Sequence, residues 1–276
     1  MIPMIKDQIQ EKAAFIYDEV ISFRHHLHAN PELSFKEFET SRFIQDKLSS
    51  WGIPFTILAD TGVVGLIKGD LPSDQVIALR ADMDALPIQE ANDKPYASKN
   101  AGIMHACGHD VHSSSLLGTA YILSQLKSQF GGTIKLIFQP GEELLPGGAS
   151  IMIKEGVLEN PAPASILGQH VMPFIEAGKV GFRSGIYMAS TDELYVTVHG
   201  KGGHGAQPHQ NIDPVLISAH IIVALQQIVS RNADPRLPSV LSFGKVSANG
   251  ATNIIPGEVK LEGTFRTLNE EWRQEA

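Results

Sequence analysis

The stretch Thr133-Ile134-Lys135-Leu136-Ile137-Phe138-Gln139, running into Pro140-Gly141-Glu142-Glu143, decides how this chain is read. A short apolar run closed by Pro-Gly has the form of a buried strand. Residues 113–128 before it and 149–155 after it carry helical periodicity, and 164–170 is a further apolar strand. Upstream, 5–28 and 35–49 repeat apolar residues at helical spacing and stop at Asn30-Pro31 and at Gly52-Ile53-Pro54. Residues 56–58, 63–68 and 75–80 read as β-branched strands. Helices alternating with apolar strands predict an α/β fold whose sheet is mostly parallel and helix-covered on both faces. In such sheets ligands bind beyond the carboxyl ends of the strands. Asp82 and Asp84, Glu142 and Glu143, and His170 all fall at such ends.

From Gly181 onward the pattern changes. A strand at 194–198, an Asp213-Pro214 helix start opening 215–229, and an antiparallel pair at 240–248 and 258–267 form most of a split βαβ sandwich. The expected domains are therefore 1–184 and a smaller α+β unit, 185–276.

Composition narrows the function. The 276 residues are 43% hydrophobic, enough apolar material for two cores. A formal net charge of −8, with no Lys/Arg cluster, argues against nucleic acid or an anionic membrane as partner. Residues 1–10 lack the pattern of a secretory signal, and the apolar run 217–229 is read as too short to span a bilayer. Cys107 is the single cysteine, so no internal disulfide can form, which fits a reducing, cytoplasmic compartment.

Cys107-Gly108-His109-Asp110-Val111-His112 places a thiolate and an imidazole two residues apart around a glycine. With Glu143 and His170 these side chains form a ligand set suited to Zn²⁺ or a similar ion. The Pro140-Gly141 turn lets one of two adjacent carboxylates ligate while the other addresses a water. Alone, each residue has a plainer explanation: Cys107 as packing, the two glutamates as solvated acids, His170 as a core histidine. The conjunction favours the metal. His25, His26 and His28 lie near a helix C-terminus and read as structural, and His112 as a support or cap rather than a ligand. Gly200-Lys201-Gly202-Gly203-His204-Gly205 formally matches a dinucleotide loop, but Pro208 and Pro214 block the helix that should follow. The loop reads instead as one that positions His204.

His105-Ala106-Cys107-Gly108-His109-Asp110-Val111-His112, Arg80-Ala81-Asp82-Met83-Asp84-Ala85-Leu86-Pro87, Phe138-Gln139-Pro140-Gly141-Glu142-Glu143, Gly202-Gly203-His204-Gly205-Ala206 and Asn253-Ile254-Ile255-Pro256 resemble the M20 metallopeptidase family. More narrowly they resemble its amidohydrolase branch of N-acyl-amino-acid, hippurate and auxin-conjugate hydrolases. The resemblance implies one or two divalent ions, Mn²⁺ or Zn²⁺ first and Co²⁺ or Ni²⁺ as alternatives, held by Cys107, His109, Glu143 and His170. It implies Glu142 as general base, His204 as oxyanion stabiliser, Asp84 and Asp110 as residues orienting the ligands, and Asn253 and Arg266 as contacts to the substrate. Asp82 stands where other branches carry a histidine ligand. The implied substrate is a small N-acyl amino acid, and the implied assembly a homodimer through the lid domain. Relatives are expected to continue past Ala276, completing the lid, returning to the catalytic domain and supplying one more histidine ligand. On that expectation this chain is C-terminally truncated and weakly active or inactive. The competing readings are a non-catalytic homologue acting in binding or dimerisation, and a closed Cys/His redox or structural centre, which would leave Glu142 without a purpose.

Overall fold

The computed structural model describes residues 5–276; positions 1–4, which belong to the segment read as lacking a secretory signal, lie outside the described residues. The chain forms two compact units that divide after Phe174, ten residues before the expected boundary at 184.

In the first unit, α1 (Ile5–Ala29) and α2 (Phe38–Ser50) precede a hairpin of β1 (Phe55–Leu58) and β2 (Gly62–Lys68), followed by β3 (Leu71–Asp82). Then come α3 (His109–Gln125), β4 (Gly131–Gln139), α4 (Gly148–Lys154) and β5 (Ser165–Gly168). The sheet order is β1-β2-β4-β3-β5. Pairs β3/β4 and β3/β5 are parallel, whereas β1/β2 and β2/β4 are antiparallel. The α/β class is as expected, and the sheet is mixed rather than mostly parallel. The cause is loop length. A parallel return needs a crossover of a dozen or more residues, and only Gly69-Asp70 separate β2 from β3. At the other end of β2, Ala59 and Asp60 both take positive φ (51° and 62°), a backbone that closes a tight hairpin.

The 133–139 run is the centre of this sheet, with Leu136 and Phe138 at 0% exposure. One face packs with Phe23 of α1, Ile44 and Leu48 of α2, and Leu116, Leu117 and Ala120 of α3. On the other face Val64, Ala78 and Ile137 meet Met152 of α4 and Val157. Lys135, also buried, donates its ammonium to the carbonyls of Val157 and Glu159 at 2.7 and 2.8 Å, so its charge is not left unsolvated.

Register places the functional residues. Asp82 pairs with Gln139, and Arg80 pairs with Gly168, so the chain leaves β3, β4 and β5 at one sheet end. Helix α3 starts at His109, four residues earlier than its periodicity suggested. Gly108 at φ 90° turns the chain into it, so His109 and His112 ride on its first turn rather than in a loop.

The second unit has β6 (Asp192–His199), β7 (Gly203–His204), α5 (Pro214–Gln227), β8 (Ser239–Ala248), β9 (Ile254–Ile255), β10 (Glu258–Thr267) and α6 (Glu270–Glu275). Strand β10 lies antiparallel between β6 and β8, the split βαβ arrangement, and β7 pairs with β9. Asp213 caps α5 by accepting from the amides of Val215 and Leu216, and Pro214 takes the first helical position. A wide turn, Ile228–Asn232, extends α5, and together Pro214–Asn232 are 19 residues of mean hydropathy 1.3. That is long and apolar enough to cross a membrane by length and composition, which corrects the reading of this stretch as too short. Within the unit Leu225, Ile228 and Val229 pack against the cluster of Leu241, Phe265 and Trp272, while most of the segment is exposed.

Candidate metal centre

His109 is the hub. Its ring is 1% exposed and lies under the sheet end, with Nδ1 2.9 Å from the carbonyl oxygen of Asp84 and 3.2 Å from Asp84 Oδ1. Both neighbours are acceptors, so Nδ1 carries the proton and the Nε2 lone pair faces inward. Nε2 has no hydrogen-bond partner although it is buried. Around it stand Glu143 Oε1 at 3.8 Å and Asp82 Oδ2 at 3.7 Å. Cys107 Sγ lies 3.3 Å from His170 Nε2, and His170 Nδ1 donates to the Val171 carbonyl at 2.8 Å, which leaves that Nε2 as an acceptor as well. Cys107, His109 and His170 offer ligand atoms within 4.8 Å of one another, and so do His109, Glu142 and Glu143.

These separations suit a cation. Two N or S ligands on one tetrahedral ion stand about 3.5 Å apart, given bond lengths of about 2.0 to 2.3 Å. The orphaned Nε2 of His109 is the strongest sign, because a buried lone pair without a donor costs free energy unless something electropositive meets it. The electrostatics agree. Burial alone would lower the His109 pKa, but the hydrogen bond to Asp84, the adjacent Cys107 thiol and the charge of Asp82 raise it to about 11, so that without an ion a proton takes up the Nε2 lone pair. A pocket that holds a proton so firmly has anionic donors in excess of cations.

A third cluster, Asp82, His109 and His112, also has ligand spacing, yet it is already closed. The Val171 amide donates to His112 Nε2 at 3.0 Å, so His112 Nδ1 bears the proton and donates it to Asp82 Oδ1 at 2.6 Å. Arg80 holds the other oxygen of Asp82 at 2.6 Å. Burial pushes the Asp82 carboxyl up, but His112 and Arg80 outweigh it and bring its pKa to about 2. Both nitrogens of the His112 ring are thus engaged, Nε2 by the amide of Val171, the neighbour of His170, and Nδ1 by Asp82.

Asp84 orients His109 and also receives Ser34 Oγ at 2.6 Å and the Glu143 amide at 3.0 Å. Burial raises its carboxyl, and these donors lower it further than burial lifts it. Asp110 faces away from the cluster, hydrogen-bonded to His28 Nδ1 at 2.8 Å and ion-paired with Arg24, whose Nε lies at 2.9 Å. Burial lifts the Asp110 carboxyl, but the His28 bond and the His105 and Arg24 charges outweigh it and lower the pKa. The His28 pKa is raised by that same bond to Asp110. Glu142 faces solvent beside Glu143, and partial desolvation together with the Glu143 charge raises its pKa.

Of the residues expected in the second unit, His204 and Asn253 are neighbours. The β7/β9 ladder pairs His204 with Ile254, and the Gly205 amide donates to the Asn253 carbonyl at 2.8 Å. The Ala206 amide donates to His204 Nδ1 at 3.1 Å, so Nε2 carries the ring proton and can donate. Asn211 supports the turn by donating to the His204 carbonyl at 3.1 Å. Arg266 lies on β10, exposed, in the three-stranded sheet.

Sequence reasoning passed over several contributors. His28 is buried between Asp110 and Glu90 rather than sitting on a solvated helix end, while His25 stacks on Tyr96 at 4.0 Å and His26 on Phe43 at 4.4 Å. His105 is 5% exposed with neither ring nitrogen bonded, and burial lowers its pKa to about 4. Ser34 and Glu37 reach the site from far away in sequence, and no local periodicity marks them.

Comparison with known proteins agrees with this geometry. Residues 78–256 match the description Peptidase family M20/M25/M40. The chain is 46% identical over 272 residues to an N-acyl-L-amino acid amidohydrolase of Geobacillus stearothermophilus, covering 98% of this chain and 73% of that protein. It is 44% identical over 258 residues to a hippurate hydrolase of Campylobacter jejuni, covering 93% and 66%. Among solved structures, a dinuclear metal-binding peptidase of the M20 family from Bacillus subtilis superposes with a TM-score of 0.76 at 38% identity, covering 95% of this chain and 67% of that one. The family match and the identities, both spanning the sheet end where His109, Glu143 and His170 meet, show that the chain belongs to peptidase family M20/M25/M40.

Proposed function

We propose that this chain carries the catalytic machinery for metal-dependent hydrolysis of the amide bond of N-acyl amino acids, giving a carboxylic acid and a free amino acid. The observation that carries it is the orphaned, buried Nε2 of His109 beside Cys107, Glu143 and His170. Those four side chains would hold one or two divalent ions, Mn²⁺ or Zn²⁺ first. A divalent ion there supplies Lewis acidity toward the scissile carbonyl and makes a water acidic near neutral pH. Glu142, adjacent to Glu143 and free of a committed partner, takes the proton from the attacking water and returns it to the departing amine. Its raised pKa suits a group that must both accept and release a proton. In this reading His204, whose Nε2 carries the ring proton, would donate to the tetrahedral oxyanion, and Asn253 and Arg266 would contact the substrate carboxylate.

The relatives' names support the amide substrate. This reading makes the unit ending at Phe174 the catalytic part and the unit from Ile175 the lid, with dimerisation through the lid and a cytoplasmic setting. The first is supported by the exposed apolar residues Leu216 and Val223 on α5, the second by the lone thiol of Cys107.

Glu142→Gln is the test. It removes the base and leaves the ligands, so metal content by elemental analysis stays at the wild-type value while amine release from N-acetyl or N-benzoyl amino acids falls by about 10²-fold or more. Turnover that survives the substitution would remove Glu142 from this role.

A further inference from the structure

Glu37 is a carboxylate at 0% exposure, and neither of its oxygens meets a cation. It stands at the N-cap position of α2 and makes no side-chain bond to its own helix. Instead Oε1 accepts from the Gly141 amide at 2.7 Å, and Oε2 accepts from Thr61 Oγ1 at 3.0 Å. An ionisable group held in the core is costly unless its lone pairs find donors, a penalty that a purely packing role would not justify.

The recipient of that bond is the informative part. Gly141 immediately precedes Glu142 and has φ 53°. A Cβ on Gly141 would lie 2.4 Å from the Phe35 ring, which closes over it from the same segment as Glu37. Two residues later the Glu143 amide donates to Asp84 Oδ2 at 3.0 Å. From behind, the Gly148 amide donates to the Gly141 carbonyl at 2.8 Å, and a Cβ on Gly148 would collide with the Pro140 carbonyl oxygen at 1.7 Å. The backbone on either side of Glu142 is therefore gripped by two carboxylates from distant parts of the chain, Glu37 on one side and Asp84 on the other. Asp84 also orients His109, which ties its half of the grip to the metal ligands.

We propose that Glu37 is a positioning residue for the reaction: by accepting from the Gly141 amide it fixes the Pro140–Glu143 turn and so the place from which Glu142 and Glu143 reach the site. This rests on the reading of Glu142 as base and Glu143 as ligand. What the grip requires is an acceptor of the right reach, not a charge. A glutamine keeps a carbonyl oxygen at the same distance for Gly141 and turns its amide toward the Thr61 oxygen; an aspartate keeps the charge and falls one methylene short.

The experiment compares Glu37→Gln, Glu37→Asp and Thr61→Val in the full chain by amide hydrogen exchange, thermal melting and steady-state amine release with Mn²⁺ or Zn²⁺. The expected result is that Glu37→Gln preserves slow exchange at Gly141 and keeps kcat within about threefold of wild type. Glu37→Asp accelerates exchange at Gly141 and lowers kcat by about 10- to 100-fold with KM little changed, the range seen when supports of a site are lost. Thr61→Val, which loosens the other oxygen of Glu37, lowers the melting temperature without moving Gly141 exchange. An active Glu37→Asp beside an inactive Glu37→Gln would overturn the proposal, as would equal Gly141 exchange in all three variants or a Thr61→Val loss matching that of Glu37→Asp. Exchange at Gly141 does not depend on turnover. If Glu142→Gln remains active while Glu37→Asp still releases Gly141, the base assignment fails and the grip on the turn stands.

Discussion

At the scale of single residues the site depends on groups whose second atom is already spoken for. His109 Nδ1 is fixed by Asp84, His112 Nδ1 by Asp82 and His170 Nδ1 by the Val171 carbonyl, so the tautomer of each ring follows from its neighbour. Only His109 and His170 are left with an inward nitrogen free for an ion. Gly108 shows how little room surrounds this arrangement: at φ 90° its added Cβ would lie 2.3 Å from Val171 Cγ2. Gly108→Ala is expected to destabilise the first unit by about 1–3 kcal/mol, from the strained φ, and to displace Val171 from His112. Because His170 adjoins Val171, metal affinity should drop along with stability, which isothermal titration with Zn²⁺ and a melting curve would resolve separately. An alanine variant that melts early but binds metal as before would mean that Val171 does not hold His170.

At the scale of elements, the two units solve the problem of placing side chains differently. In the first, the parallel pairing of β3 with β4 and β5 delivers three chain exits to one end of the sheet, and the start of α3 brings His109 up beneath them. In the second, the short β7/β9 ladder sets His204 beside Asn253, with no helix involved. Helix α5 owes its start to one residue: Asp213 satisfies two amides that would otherwise be unpaired. Asp213→Ala should cost about 1 kcal/mol, visible as faster exchange at the first turn of α5 and in Leu216 especially. Unchanged protection there would show that packing of Leu225 and Ile228, rather than the cap, holds the helix.

At the scale of the whole molecule, the candidate ligands all lie in the first compact unit, before Phe174. An ion that binds only the folded site stabilises it by mass action, about 2.7 kcal/mol when free metal is one hundred times the dissociation constant. Adding Mn²⁺ or Zn²⁺ is therefore expected to raise the melting temperature and to slow exchange around 107–112, 139–143 and 170–171. Segments of β6, β8 and β10 should be unaffected, and a chelator should reverse the change. Protection that appears instead in the second unit would mean the ligand set has been misassigned.

The chemistry of this protein was legible in its sequence because the donors are clustered: Cys107 and His109 around one glycine, and Glu142 and Glu143 after one turn at the end of an apolar run whose strand character needs no tertiary information. Periodicity likewise marked α1, α2, α5 and the antiparallel pair β8/β10, because those elements bury a face set by local spacing. What periodicity does not carry is strand partnership. The insertion of β4 between β2 and β3, and hence the mixed sheet, follows from long-range pairing and from a two-residue link that excludes a crossover. Apolar composition likewise does not say what an α5-length helix packs against; the β6, β8 and β10 side of the unit decides that. The supports of the site were beyond reach for the same reason. Glu37 and Gly141 are 104 positions apart, and His28 and Asp110 are 82 apart, so each reads locally as an ordinary surface or helix-end residue. The sequence determined which atoms could bind an ion and move a proton, since those are properties of residue type. Only the tertiary structure decided which of their lone pairs are free, since that depends on hydrogen bonds made across the fold.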